Sequence, residues 1–402
     1  MLREASAKRI KLVTFMAFVS MPLSGFVTDI YLPSFPAMAK SLHVHERDIQ
    51  LTLTSYLLSY GISQLFIGNI LDSIGRYHPK VLALTLLILS SLLIAHTESV
   101  FFICLLRVVQ GVAISILVVA TRALFVDLYT GERLKNYLSY FTIVWSCGPI
   151  LAPFLGGYLE QIFNWQANFY FLAFYASGLL LFELLYSGES IAQKKKINLR
   201  DNLNLYKMML QNKLFILGIL VLGFSYSIVM LFNITGPFII ENTFHFSSVT
   251  IGYCTLILGF SWMIGGFITK KCMHLDFFPR VIAPVFLQAS LVVALMLVGI
   301  FQQNLYIMVG FAFLIHTISG VLFTSFFTTS MLFFPKYAGT AGGLMGGMVY
   351  IVTSLSNFIV AISGKVTTQN GLASRYFIFS TFLIIIILAM WKLQKVKAGQ
   401  KG

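Results

Sequence analysis

Acidic side chains are scarce in this sequence: 14 Asp and Glu among 402 residues, with charged residues of both signs reaching only 10%. A soluble chain of this length carries roughly 25% charged residues. Together with a 58% hydrophobic content, the shortage excludes a large soluble domain and points to a polytopic membrane protein. Cysteine is rare too. Cys104, Cys147, Cys254 and Cys272 are scattered through apolar segments with neither disulfide-framework nor zinc spacing, so free thiols are expected. There is no Walker loop, no Gly-x-Ser-x-Gly and no His-Glu-x-x-His. Neither ATP-driven transport nor a hydrolase is supported, no enzymatic activity is expected, and no cofactor or metal is called for. No small-residue cleavage site follows the first apolar run, which is too long for a signal-peptide core and is read as a retained helix.

What is present is a series of apolar segments, each long enough to span a bilayer at about 20 residues. They cover 11–36, 49–71, 80–96, 100–127, 136–159, 167–187, 213–240, 248–269, 280–300, 305–331, 339–364 and 374–391. The reading is an all-α membrane protein of twelve transmembrane helices in two pseudo-symmetric six-helix halves. The domains run 1–187 for the first bundle, 188–212 for a cytoplasmic linker with Lys194-Lys195-Lys196, and 213–402 for the second bundle. A weak internal echo supports a repeat. Asp29-Ile30-Tyr31-Leu32-Pro33 is answered by Asn233-Ile234-Thr235-Gly236-Pro237, and Pro79-Lys80-Val81 by Pro279-Arg280-Val281. Repeated halves with a midplane site are a transporter architecture.

The net charge of +14 is a topology signal. With a cytoplasmic N-terminus, only Lys40, Arg47, Lys365 and Arg375 fall on the far side, and Arg107 and Arg122 fall within the fourth span. All remaining Lys and Arg face the cytoplasm. Both termini are then cytoplasmic, and the basic excess meets anionic lipid rather than nucleic acid.

Charged residues inside such spans are functional candidates. Asp29 sits in Phe26–Pro33, where the sequence from Leu12 to Met38 is otherwise uncharged; an ionised carboxylate there costs roughly 3 kcal/mol or more. It faces water, pairs with a cation or carries a proton, the alternative being a hydrogen-bonded packing residue. Arg107, deep in the fourth span, keeps its proton and is expected to pair with Asp29. On the second span Ser55, Ser59 and Ser63 form a small-residue stripe. Tyr56, Tyr60 and Gln64 form the adjacent one, either lining a substrate cavity or packing through their hydroxyls. Asp72, Arg76, Arg122 and Asp127 fall near the cytoplasmic face, where we expect Asp72, Arg76 and Asp127 to form a conformational latch and Arg122 a salt bridge. Gly148, Pro149, Pro153, Gly156 and Gly157 mark a kinked, closely packed fifth span. His316 is the histidine deepest in a span, either proton-titrating or hydrogen-bonded in packing. Glu183, near the end of the sixth span, is read as interfacial.

These residues resemble the major facilitator superfamily, and more narrowly the bacterial drug:proton antiporters of the bicyclomycin/chloramphenicol-resistance type. Thr28-Asp29-x-Tyr31-Leu32-Pro33-x-x-Pro36 is similar to that subgroup's first helix. Gly68 to Arg76 resembles the superfamily loop Gly-x-x-x-Asp-Arg-x-Gly-Arg, with Ser73 for its first Arg. Arg107-x-x-Gln110-Gly111 resembles the proton-coupling stretch of the fourth helix. Thr121-Arg122-Ala123 to Asp127 resembles Ala-Arg-Ala-x-x-Arg-Asp, with Val126 for the second Arg. Gly148 to Gly157 is similar to the antiporter stretch of the fifth helix. The resemblance implies rocking of two six-helix halves and export of a small amphipathic compound against protons, powered by the proton motive force. It implies a coupling role for Asp29 and Arg107, and a bacterial inner-membrane location. Tyr31, Tyr56, Tyr60, Gln64, Gln110 and His316 are the cavity candidates. The chain is expected to act as a monomer. Export of an endogenous metabolite such as a siderophore, or import on the same fold, stay open as alternatives.

Overall fold

A computed structural model describes residues 2–191, 193–194 and 199–399 of the chain. Lys195 and Lys196 of the basic linker run lie outside the described residues. Among the described residues there are helices and no strands. The first span is α1 (Ala7–Ser20), α2 (Leu23–Asp29), a 3-10 turn (Leu32–Ser34) and α3 (Phe35–Ser41). There follow α4 (Glu46–Ile74), α5 (Tyr77–His96), α6 (Val100–Leu128), α7 (Gly131–Ile162) and α8 (Gln166–Tyr186). After the linker helix α9 (Leu199–Leu210) come α10 (Lys213–Asn242), α11 (Ser248–Lys271), α12 (Phe277–Phe301), α13 (Leu305–Met331), α14 (Ala338–Ile362) and α15 (Gln369–Gly399).

Local chemistry sets where these helices begin. Ser99 Oγ accepts from Phe102 N, Ser247 Oγ from Thr250 N, and Asn212 and Asn304 each cap two amides of the helix that follows. Each such cap is worth about 1 kcal/mol. Pro22 precedes α2, and Pro33 and Pro36 lie in the turn and in α3. Each proline removes a backbone donor, so the first span is broken on either side of α2 and continues beyond the expected end at 36 to Ser41. The fifth span behaves differently: α7 runs unbroken through Pro149 and Pro153.

Among the described residues, ten helical runs are long and apolar enough to cross a membrane, with Ala7–Ser41 counted as one. The other two expected spans are α4 and α7, of 29 and 32 residues. They carry charged ends and polar or glycine-rich faces, which lowers their apolarity without shortening them. The fold is thus the twelve-helix arrangement expected.

The chain divides into two compact units, one ending at Leu203 and one starting at Asn204. Their internal packing repeats. In the first, α4 lies along α6, α5 along α8, and α2 along α7. In the second, α11 lies along α13, α12 along α15, and α10 along α14. Second-with-fourth, third-with-sixth and first-with-fifth pairings therefore recur as eighth-with-tenth, ninth-with-twelfth and seventh-with-eleventh.

Candidate functional site

The deep site of the first unit is built around Arg107, which is 0% exposed on α6. Gly111, one turn further along α6, lets the helix close on α4. A Cβ there would overlap Ser59 Oγ and crowd the Tyr56 carbonyl. This approach brings Tyr56 over the guanidinium, with the ring centroid 4.3 Å from Cζ. The turn after α2 delivers Tyr31 to the other side, at 4.5 Å. Tyr31 is held by Thr52 at 3.1 Å, and Thr28 Oγ1 lies 3.1 Å from the Tyr56 hydroxyl. Arg107 Nη1 donates to the Val27 carbonyl at 2.9 Å and to Gln110 Oε1 at 2.7 Å. Gln110 in turn donates to Ser91 Oγ on α5 at 3.0 Å.

The expected Asp29–Arg107 ion pair is not formed. Asp29 is 2% exposed at the end of α2, and its Oδ1 has no hydrogen-bond partner. Arg107 acts on it through space without a contact inside ion-pair distance. The guanidinium is instead compensated by two aromatic faces, worth about 2 kcal/mol when desolvated, and by a carbonyl and an amide oxygen. Its Nε and Nη2 lack hydrogen-bond partners. The site therefore holds a fixed cation and a nearby carboxylate oxygen free to take a proton or a donor from a bound compound.

The other cavity candidates divide. Tyr60 is buried and its ring stacks on Tyr56 at 5.9 Å, while Gln64 is half-buried one turn on. His316 is fully buried in the second unit, its Nε2 2.9 Å from the Tyr376 hydroxyl and its Nδ1 without a partner. The packing shows an equivalence that sequence alignment of the halves missed. Gln110 bonds Ser91 between the fourth and third spans, and Gln288 on the ninth span bonds Ser319 on the tenth at 2.7 Å. Gly111 seats α6 against the Tyr56 carbonyl, and Gly320 seats α13 against the Trp262 carbonyl. Arg107 and His316 each stand three residues before the bonded Gln110 or Ser319. His316 thus occupies the place in the second unit that Arg107 occupies in the first.

Where α4 gives way to α5, Arg76 is 9% exposed and bridges two helices. It donates to Asp72 on α4 at 3.0 Å and pairs with Asp127 on α6 at 2.7 Å. Arg122 is exposed on α6, five residues before Asp127. Sequence reading missed Glu189. Its carboxylate accepts from Arg76 N and Tyr77 N, at 2.9 and 3.3 Å, and so caps the start of α5. The neighbouring Ser190 donates to Asp127 at 2.7 Å. The available signal was its isolation: Glu189 is the sole acid between Gly188 and Arg200. Glu189→Ala is expected to lower stability by about 1–2 kcal/mol, as loss of a helix cap does, read as a lower unfolding temperature in detergent; an unchanged temperature would mean the cap is replaced by solvent.

Glu183 stands in the last turn of α8, as expected, but is covered by protein. It is 6% exposed and takes a 2.8 Å ion pair from Lys80, itself 6% exposed in the first turn of α5. The fifth-span stretch is a seam with the first span. A Cβ on Gly148 would overlap the Pro22 carbonyl, one on Gly156 the Ile30 carbonyl, and one on Gly25 would strike Pro149. Pro153 and Gly157 are buried in the same helix. The four cysteines are free.

Residues 17–357 match the family model described as Major Facilitator Superfamily. The chain is 27% identical to the "Bicyclomycin resistance protein homolog" of Haemophilus influenzae, over 94% of this chain and 95% of that one. It is 25% identical to "Multidrug resistance protein D" of Escherichia coli, over 89% and 90%. Its fold matches the crystal structure of a D-xylose-proton symporter with a TM-score of 0.73 at 13% identity, over 96% of this chain and 98% of that one. With the family model spanning most of the sequence and the helix pairing repeated in both units, this chain belongs to the major facilitator superfamily.

Proposed function

We propose that the chain exports small amphipathic compounds, drugs among them, across a bacterial cytoplasmic membrane in exchange for protons. The observation that carries this reading is the buried Asp29 carboxylate with an unpartnered oxygen, beside an Arg107 clamped so firmly that it cannot follow. In the proposed cycle Asp29 is the proton carrier, and Arg107 governs how firmly the proton is held. Tyr31, Tyr56, Tyr60, Gln64, Gln110 and His316 line the substrate path. The bridge of Asp72, Arg76 and Asp127, with Arg122 near it, is the conformational latch. The stretch from Gly148 through Pro149, Pro153, Gly156 and Gly157 is the antiporter element of the fifth span. The energy source is the proton motive force, no cofactor takes part, the working form is a monomer, and both termini are cytoplasmic. The printed names of the Haemophilus and Escherichia relatives support the drug substrate class.

The test is an accumulation panel in a pump-deficient host. Expression should lower the level of at least one compound, and a protonophore should restore it. Lowered levels that persist under the protonophore would remove proton coupling, and raised levels would make the chain an importer. Charge balance gives a finer measurement. With one proton per cycle, export of a neutral compound moves one net charge, and the potential supplies about 2.3 kcal/mol per 100 mV. Export of a monocation moves none. Valinomycin with balanced potassium, at fixed pH gradient, should therefore slow neutral substrates and spare monocations. Equal slowing would mean a second proton site.

A further inference from the structure

Four basic side chains are buried among the described residues: Arg76, Lys80, Arg107 and Arg280. The first three have company that matches their charge. Arg76 has two carboxylates, Lys80 has Glu183, and Arg107 has two rings, a carbonyl and an amide oxygen. Arg280, 8% exposed in the first turn of α12, has no carboxylate and only distant or weak contacts. Its Nη1 reaches the Met273 carbonyl at 3.4 Å and Met273 Sδ at 3.1 Å, its Nε has no partner, and the Phe277 ring centroid is 5.8 Å away. A carbonyl at the edge of hydrogen-bonding range and a thioether are weak acceptors for a group with five donors that keeps its charge.

The internal repeat makes the gap specific. Lys80 and Arg280 hold the same place in Pro-x-Val triplets that open the third and ninth spans. Where α8 supplies Glu183 to Lys80, α15 contains no acid from Gln369 to Gly399. Gly299 lies against Asn370, and α12 packs along α15, whose Ile386, Ile387 and Met390 are buried apolar residues. Asp276, the one acid in the segment from Lys270 to Arg280, makes no ion pair with it and caps no amide with its side chain. The guanidinium turns back toward Met273, so it faces the uncapped start of α12, where the helix dipole adds positive potential. Lys270 and Lys271 end α11 beside this loop, and Lys392 and Lys395 are exposed toward the end of α15. Among the ten apolar spans α12 is the least buried within the protein, so lipid reaches it.

We propose that Arg280 and the start of α12 hold the phosphate of an anionic phospholipid from the leaflet at this end of the bundle. The phosphodiester supplies the acid that the first unit obtains from Glu183. Choline headgroups are disfavoured, because their ammonium meets the surrounding lysines.

The test titrates the purified full chain in detergent with phosphatidylglycerol, phosphatidylcholine or inorganic phosphate, read by native mass spectrometry and by thermal unfolding. Phosphatidylglycerol should bind about tenfold more tightly than phosphatidylcholine and raise the unfolding temperature. Arg280→Gln and Arg280→Met should each lose that preference. Equal binding of the two lipids by the unmodified chain, or an undiminished preference in a folded variant, overturns the proposal. Displacement of phosphatidylglycerol by equimolar inorganic phosphate overturns its lipid part and leaves a free-phosphate site. If neither variant folds, the lipid preference of the unmodified chain decides.

Discussion

Asp29→Asn is expected to leave a folded, membrane-inserted protein whose gradient-driven transport falls to background. The substitution keeps the side chain's shape and removes its ability to ionise. In the structure the carboxylate makes no ion pair and its Oδ1 no hydrogen bond, so little native packing depends on its charge. Arg107 is held by Tyr31, Tyr56, Val27 and Gln110, contacts that the change leaves in place. The proposed coupling role is therefore testable apart from any structural role at this residue. A substrate-gradient exchange assay without a proton gradient should retain activity in the variant. Full proton-driven transport by Asp29→Asn would remove the assignment.

The second large effect concerns stability. Glu183→Ala should destabilise the protein by about 3–5 kcal/mol, the usual result of stranding one member of a buried ion pair. The stranded group is Lys80, 6% exposed. Replacing both partners with apolar residues of similar size, Lys80→Met with Glu183→Leu, should recover most of the loss, because the desolvation penalty leaves with the charges. Thermal unfolding of the single and double variants gives the coupling directly. If the double variant is no better than Glu183→Ala, the pair is valuable for its geometry and not merely as mutual neutralisation.

The contrast between these residues shows what a linear reading can reach. Asp29 and Arg107 were visible because each is a lone charge in a long apolar stretch, and that isolation is a property of the sequence. Their relationship was not visible. An intramembrane guanidinium was expected to need a carboxylate, yet two tyrosine faces serve, one from the turn after α2 and one from α4. No spacing rule brings Tyr31 and Tyr56 together; the turn after α2 places the first and the Gly111 contact between α6 and α4 places the second. The pairing of Glu183 was hidden for a related reason. It depends on α5, which starts at Tyr77 rather than at 80 and so sets Lys80 in a first turn packed against α8. The helices themselves were legible because about 20 apolar residues have few other options. The Arg107–His316 equivalence was hidden because repeats preserve packing positions longer than residue types.

The seam between the first and fifth spans bears on how freely this gene can drift. Every single-nucleotide missense change from a glycine codon adds at least one carbon, and at Gly25, Gly148 and Gly156 that carbon lands on another segment's backbone or proline ring. Gly178, Gly310 and Gly343 have open space around them. A saturation library selected for resistance should accordingly be empty at the first three codons and well populated at the second three. Tolerance would then be mapped by helix proximity and not by nearness to Asp29, and laboratory evolution of new substrate ranges would have to leave these three glycines in place.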